Sequence, residues 1–189
     1  MELSRVIHER RAYRSLGPAA IDRDLIEDLA RHAQLAPSCY NRQPWRFVFV
    51  HDRARLEQLF TALPAGNAWA THASMIIAVF SKRDLDCDTQ GRQYFLFDTG
   101  MGTAFLILRA TELGLVAHPI AGYSEPDVKR IVNIPDEMTV ITLVIVGRHS
   151  SVIAPYLSEQ QARGEAVRPP RFDLDAFVFE NEVPQEMDR

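Results

Sequence analysis

A layered α/β fold is what the sequence predicts, on three observations. Short β-branched or aromatic runs, residues 46–50 and 75–80, alternate with longer stretches of helical apolar spacing. Pro and Gly are scattered as turn markers, with no repeat, low-complexity block or linker. A chain of 189 residues with 47% hydrophobic content is long and apolar enough to bury one core. One domain over residues 1–189 is expected, with 148–189 as an extended C-terminal tail.

The elements follow in order. A short helix precedes Glu9. From 22 to 36, Leu25, Ile26, Leu29, Ala33 and Ala36 recur at helical spacing, with Asp22 as N-cap and Pro37 closing the run. Residues 46–50 and 75–80 are expected as buried strands on either side of a helical stretch at 53–63. From 94 to 113 the chain is apolar on most faces, which predicts a core helix hidden all round and ended by Gly114. Gly100 and Gly102 imply close approach of another backbone there, since a helical glycine costs about 1 kcal/mol against alanine. They form no dinucleotide fingerprint, because they follow no strand and lack the third glycine. A strand ending near His118, the loop 119–123, a helix capped by Ser124 with Asp127, and a central strand at 138–146 complete the pattern. Beyond Gly147 the chain turns polar, then regains apolar residues at Phe177, Val178 and Phe179, which predicts that the tail docks.

The net charge of −4 and pI near 5.9 argue against a nucleic-acid-binding surface. Cys39 and Cys87 form no CxxC or metal-ligand spacing, so neither a disulfide framework nor a metal site is expected, and a reducing cytoplasm fits. The N-terminal residues are charged, and no run reaches the ~20 apolar residues of a membrane span.

Two segments concentrate chemistry. Arg10, Arg11 and Arg14 lie within five residues and can grip an anion such as a phosphate; a solvated charged turn is the alternative. Residues 36–45, Ala-Pro-Ser-Cys-Tyr-Asn-Arg-Gln-Pro-Trp, pack short polar groups between two prolines, as site-lining loops do and as self-satisfying turns also do. Cys39 has no neighbouring His or Lys to activate it and is expected to be a small loop residue.

These two segments, with Gly66-Asn67 and Pro119-Ile120-Ala121-Gly122, resemble the successive signatures of the nitroreductase-like FMN-dependent oxidoreductases, from about Val6 to Gly147. The resemblance implies a central mixed sheet wrapped by helices and an intertwined homodimer whose tail reaches the partner. One FMN per subunit would lie at the interface. It places Arg10 and Arg11 on the FMN phosphate and ribityl chain, and Arg14 with Asn67 at the pyrimidine edge. Pro37, Ser38, Cys39, Asn41 and Gln43 would come from the partner chain. Pro119, Ile120 and the backbone of Ala121 and Gly122 would approach the flavin N5, and Arg168 or Arg171, with Arg148 less favoured, would complete the phosphate site. Ala12 stands where the family usually has serine, which removes a hydroxyl. Ala121 stands where glycine or an acidic residue is frequent.

The implied activity is hydride transfer from NADH or NADPH through FMN to a small-molecule acceptor such as a nitroaromatic or quinone, by a ping-pong mechanism. No catalytic side chain is required of the protein. Alternatives are an FMN-binding redox sensor or carrier, and a specialised relative that reduces conjugated alkenes or consumes its flavin. Residues 81–93 are polar and lack a helical apolar face, which predicts an open flavin unless the tail at 150–168 covers it.

Overall fold

The computed structural model describes residues 2–183, so the extreme ends of the expected 1–189 domain and 148–189 tail lie outside the described residues. In chain order the elements are α1 (Leu3–Glu9), β1 (Leu16–Gly17), α2 (Arg23–Gln34), β2 (Arg46–Val50), α3 (Arg53–Phe60) and β3 (Met75–Ser81). A small hairpin of β4 (Asp88–Thr89) and β5 (Arg92–Gln93) follows, then α4 (Tyr94–Glu112), β6 (Val116–Ile120), α5 (Glu125–Val132), β7 (Thr139–His149) and α6 (Glu159–Ala166).

β7 is the central strand, as its alternating, branched sequence predicts. One edge pairs with β3, which pairs in turn with β2. The other edge pairs with β6, and the C-terminal end of β7 pairs with β1. Every pair among the described residues is antiparallel, where a mixed sheet is expected. The reason lies in the connections. The excursion through α3 between β2 and β3, and the one through α5 between β6 and β7, leave and re-enter the sheet at the same end. Each is thus an enlarged hairpin rather than a parallel crossover.

The period of two divides the strands between two cores. Ile76 and Ala78 of β3 with Leu143 and Ile145 of β7 face Leu56 and Leu59 of α3, Val128 and Ile131 of α5, and Trp69. Met75, Ile77 and Val79 with Val144 and Val146 face Leu29 and Ala33 of α2 and Leu106 and Ala110 of α4. Burial on both faces explains why β3 reads as a continuous apolar run. Fully burying each Leu, Ile or Val contributes about 1.5–3 kcal/mol relative to exposure. β2 departs from the expectation of a buried strand: it lies at the sheet edge, half-buried, with Arg46 exposed.

Helix starts follow the sequence with one exception. The Asp22 carboxylate accepts the Leu25 N–H at 2.8 Å. Gly114 takes a positive φ of 74° and ends α4. The Ser124 hydroxyl, expected to cap α5, instead donates to the Asp127 carboxylate at 2.7 Å, so the two would-be capping groups satisfy each other.

α4 is not hidden all round. Phe95, Gly102, Leu106 and Ala110 are buried, but Phe97 is 64% exposed and Leu96 and Phe105 are also exposed. Its outer apolar face continues onto Leu3 and Ile7 of α1 and Leu35, around a groove of ≈ 390 Å³. The glycines differ from expectation too. A Cβ at Gly102 would lie 3.1 Å from the Trp45 ring, a side chain rather than a backbone, and at Gly100 it would meet nothing within 4 Å. No helix among the described residues is long and apolar enough to cross a membrane.

Candidate functional site

The arginine segment leaves α1 and passes under the tail. Ser158 and Gln161 form a reciprocal capping box that starts α6, and Gln161 Nε2 donates to the Gly66 carbonyl at 2.9 Å. So anchored, α6 lowers the buried Glu165 onto the backbone beside the arginines. Its carboxylate accepts the Arg14 N–H at 2.7 Å and the Ser15 N–H at 3.0 Å. α6 thus docks against the chain's own N-terminal segment, but the run Phe177, Val178 and Phe179, for which docking is expected, does not. From Phe172 to Val183 the tail's apolar side chains are exposed in the single chain.

The structure separates the three arginines. Arg11 donates to the Gly164 and Glu165 carbonyls at 2.7 and 3.2 Å and stacks over the Tyr13 ring, so its fork is engaged in holding the tail. Arg10 lies beside Arg168 and Arg171. Burial first, and then the positive charges of Arg168 and Arg171, draw the Arg10 guanidinium below its ordinary pKa. Arg168 donates to the His8 carbonyl and, at 3.1 Å, to that of Arg10, while Arg171 donates to its own neighbour Pro169. Arg148 approaches the Gly114 position instead.

Arg14 sits over Trp69, its Cζ 5.7 Å from the ring centre, with Nε buried and without a hydrogen-bond partner. Trp69 is the hub of this end of the site. Its Nε1–H donates to Asn67 Oδ1 at 3.3 Å, and its ring lies 4.6 Å from that of His118. Asn67 Nδ2 donates to the Gly122 carbonyl at 2.8 Å. Pro119 and Ile120 end β6 rather than opening the expected loop at 119–123: Pro119 is exposed, Ile120 is buried in the core with its carbonyl accepting the Thr142 hydroxyl, and Ala121 beyond them is exposed. Ala12 is half-buried beside the arginines.

His118 is the buried titratable group beneath these residues. Its Nδ1 faces the Tyr13 carbonyl at 3.0 Å. Desolvation lowers its pKa to about 4 against the opposing pull of that carbonyl, with Arg14 adding to the fall, so the ring is neutral at pH 7 and Nδ1–H is the donor.

The loop at 37–45 lies elsewhere in the same chain. No hydrogen bond, ion pair or ring contact among the described residues joins it to Arg10, Arg11 or Arg14. The Ser38 hydroxyl accepts the Gln43 N–H at 3.0 Å, and Gln43 Nε2 donates to Asn41 Oδ1 at 3.2 Å. Tyr40, Asn41 and Gln43 hold positive φ values of 47°, 56° and 49°, and Tyr40 is 91% exposed. Pro37 is exposed at the start of the loop.

Here one expectation is overturned. Cys39 is not a free loop residue: it forms a disulfide with Cys87, 48 residues away, so cysteine spacing is no ground for a reducing compartment. The bridge closes because the loop folds down onto α4, where Asp98 accepts the Cys39 N–H at 2.6 Å, and the turn at 83–87 rises to meet it.

Glu165, His118, Trp69 and Asp98 escape sequence reasoning. Trp69 and His118 stand within three residues of motifs already singled out, a usable signal; a lone Glu in a polar tail gives none.

The description "Nitroreductase family" matches this chain over residues 7–67 and 57–148. An Archaeoglobus fulgidus protein with the provisional name NADH dehydrogenase/NAD(P)H nitroreductase is 27% identical over 154 residues, covering 77% of this chain and 84% of its own. An iodotyrosine deiodinase of Haliscomenobacter hydrossis is 27% identical over 174 residues, covering 77% and 78%. A solved structure described as an oxidoreductase containing FMN superposes with a TM-score of 0.83 at 26% identity, covering 96% of this chain and 92% of that one. With an antiparallel sheet clothed in helices, an arginine cluster closed by the tail, and Asn67 locked to Gly122, the chain belongs to the nitroreductase family.

Proposed function

We propose that the chain is an FMN-dependent NAD(P)H oxidoreductase working as a homodimer, the whole of it acting as one FMN-binding unit whose tail completes the site. The observation that carries this reading is the pairing of a crowded cationic cluster, Arg10 with Arg168 and Arg171, with the buried, unpartnered Nε of Arg14. Clustered like charges and an orphaned buried donor are both unfavourable alone, and an anionic, hydrogen-bond-accepting ligand relieves both. The FMN phosphate suits the first and the flavin pyrimidine edge the second.

Arg10 and Arg168, with Arg171 next to them, hold the phosphate in this reading, while Arg11 secures the tail that delivers Arg168. Arg14 faces the pyrimidine edge, oriented by Trp69 and by Asn67. Asn67 fixes Gly122, and with it the segment of Pro119, Ile120, Ala121 and Gly122, so that its backbone approaches the flavin. Pro37, Ser38, Cys39, Asn41 and Gln43 serve the partner's site, which accounts for their lack of contact with the arginines of their own chain. The exposed apolar faces of α4 and α1 and the apolar tail give the dimer its surface. When bound, FMN supplies the hydride chemistry, taking it from NADH or NADPH and passing it in a ping-pong sequence to a nitroaromatic, quinone or similar acceptor. The protein's own part is to bind, orient and place positive charge where the reduced ring is anionic.

The test is the flavin released from purified protein, followed by NADH and NADPH oxidation with a panel of acceptors. FMN, turnover and a dimer by light scattering are expected. FAD, or failure to reconstitute with FMN, would overturn the reading. A specialised reductive role is the second reading, favoured by the likeness to the Haliscomenobacter deiodinase, and product analysis separates the two.

A further inference from the structure

A second chemical cluster lies under the loop at 37–45, outside the arginine site. The Cys39 and Cys87 sulfurs and an Asp86 carboxylate oxygen all lie within 4.8 Å of one another. Asp86 Oδ1 accepts the Cys87 N–H at 2.8 Å, and its Oδ2 is buried with no donor in reach. The carboxylate of Asp98, itself 1% exposed and already accepting the Cys39 N–H, lies beside that of Asp86. Two carboxylate oxygens repel when both are charged and hydrogen bond only when a proton lies between them. Burial first, and the Asp98 carboxylate with it, raise the Asp86 pKa, the nearby Arg42 and the Cys87 N–H opposing them. Both causes favour the protonated form of Asp86, whose carboxylate stands beside the disulfide.

Access to the two sulfurs is unequal. Cys39 is half-exposed beside the protruding Tyr40, whereas Cys87 is buried. An incoming thiolate reaches Cys39 first, so Cys87 is the leaving sulfur. A thiolate released there would be a second buried anion next to a carboxylate, a costly arrangement unless a proton arrives with it.

We propose that Cys39–Cys87 is a thiol–disulfide exchange site for a small dithiol, with Asp86, paired to Asp98, as proton donor to the Cys87 sulfur. One thiolate of the dithiol attacks Cys39 Sγ; the new S–S bond forms as the Cys39–Cys87 bond breaks, and the shared proton passes to Cys87 Sγ. The second thiol then loses its proton to solvent and attacks the mixed disulfide, leaving as a cyclic disulfide. Cys39 and the carboxylate pair each take a proton from solvent. Two electrons enter the protein, and the dithiol is oxidised. Opening the link also frees the loop of Tyr40, Asn41 and Gln43, each at positive φ, from the turn at 83–87. The flavin reading sets Cys39 at the partner's site, so the exchange requires Cys39 Sγ to stay reachable there, and an FMN-loaded dimer that resists exchange would overturn it.

The test uses the full-length protein with dithiothreitol across mildly acidic to mildly alkaline pH, quenched by alkylation and counted by intact mass. Rates are divided by the dithiothreitol thiolate concentration, which removes the reagent's own titration. In the wild type the corrected rate should fall as pH rises and the pair loses its proton. Asp86→Asn should lower it about a hundredfold at the acid end, as loss of a positioned proton donor does, and flatten the profile. With glutathione as a monothiol probe, the mixed disulfide should map to Cys39. If Asp86→Asn does not fold, Asp98→Asn carries the test by moving the fall in rate to a different pH. A flat wild-type profile, equal rates in wild type and Asp86→Asn, no shift in Asp98→Asn, or an adduct on Cys87 would each overturn the proposal.

Discussion

Asn67 Nδ2 donates to the Gly122 carbonyl at 2.8 Å, and a Cβ added at Gly122 would stand 2.8 Å from that same nitrogen, with Pro64 Cγ behind it at 3.5 Å. Only glycine leaves room for the bond that positions the loop. Gly122→Ala should therefore displace the Asn67 amide and weaken FMN binding about 2- to 12-fold, the worth of one net hydrogen bond. Asn67→Ala should cost about the same. The double variant should cost no more than either, since both remove one interaction. Flavin fluorescence titration checks it.

The division of labour among the arginines separates two outcomes. Arg10→Ala should weaken FMN retention by about 1.5–3 kcal/mol, one charge-assisted bond, with little change in thermal midpoint, whereas Arg168→Ala should lower both, since its guanidinium also holds the His8 and Arg10 carbonyls. Arg11→Ala should lower the thermal midpoint first, because its guanidinium holds the Gly164 and Glu165 carbonyls. Calorimetry of the apoprotein alongside flavin titration distinguishes the two effects. Equal behaviour of Arg10 and Arg11 variants would contradict the assignment.

Glu165→Ala removes both acceptors from the Arg14 and Ser15 amides. The expected loss is about 2–4 kcal/mol in urea unfolding, because two buried N–H groups lose charged partners. Glu165→Gln retains an acceptor and should lose roughly half as much.

His118 makes stability depend on pH in a direction its burial fixes. Its folded pKa of about 4 lies below the ordinary 6.5, so between these values the unfolded chain takes a proton that the folded one refuses. The contribution is full above 6.5 and is lost as pH falls toward about 4, a difference of about 3 kcal/mol. His118→Asn keeps a donor for the Tyr13 carbonyl without a titrating group. Its unfolding free energy should fall less steeply with acid than that of the wild type, measured in urea at stepped pH.

Much of the fold is legible because it rests on local periodicity. Asp22 announces α2, the branched run of β3 shows burial on two faces, and Gly114 marks the end of α4. Strand direction is not legible, since the same spacing serves an enlarged hairpin and a crossover. Nor is the exposure of Phe97 and Phe105: a helix apolar on every side reads alike whether its own chain or another covers it. In the candidate site, the arginines, Asn67 and Gly122 stand in recognisable motifs. Glu165 sits in a polar stretch with nothing to mark it. The Cys39–Cys87 link depends on two loops meeting in space, a property that spacing along the chain does not encode.

The bond from Glu165 to the Arg14 amide joins residues 151 positions apart, and it sets a timetable for synthesis. A nascent chain carries its basic N-terminal segment from the start, yet lacks the carboxylate that shapes it until α6 has left the ribosome. Closing so long a loop comes at an entropic cost that only the assembled core can offset. On the proposed FMN reading, cofactor loading is consequently a late event. On that reading a ribosome stalled before α6 would hold a chain with every described strand in place and no completed site for the flavin.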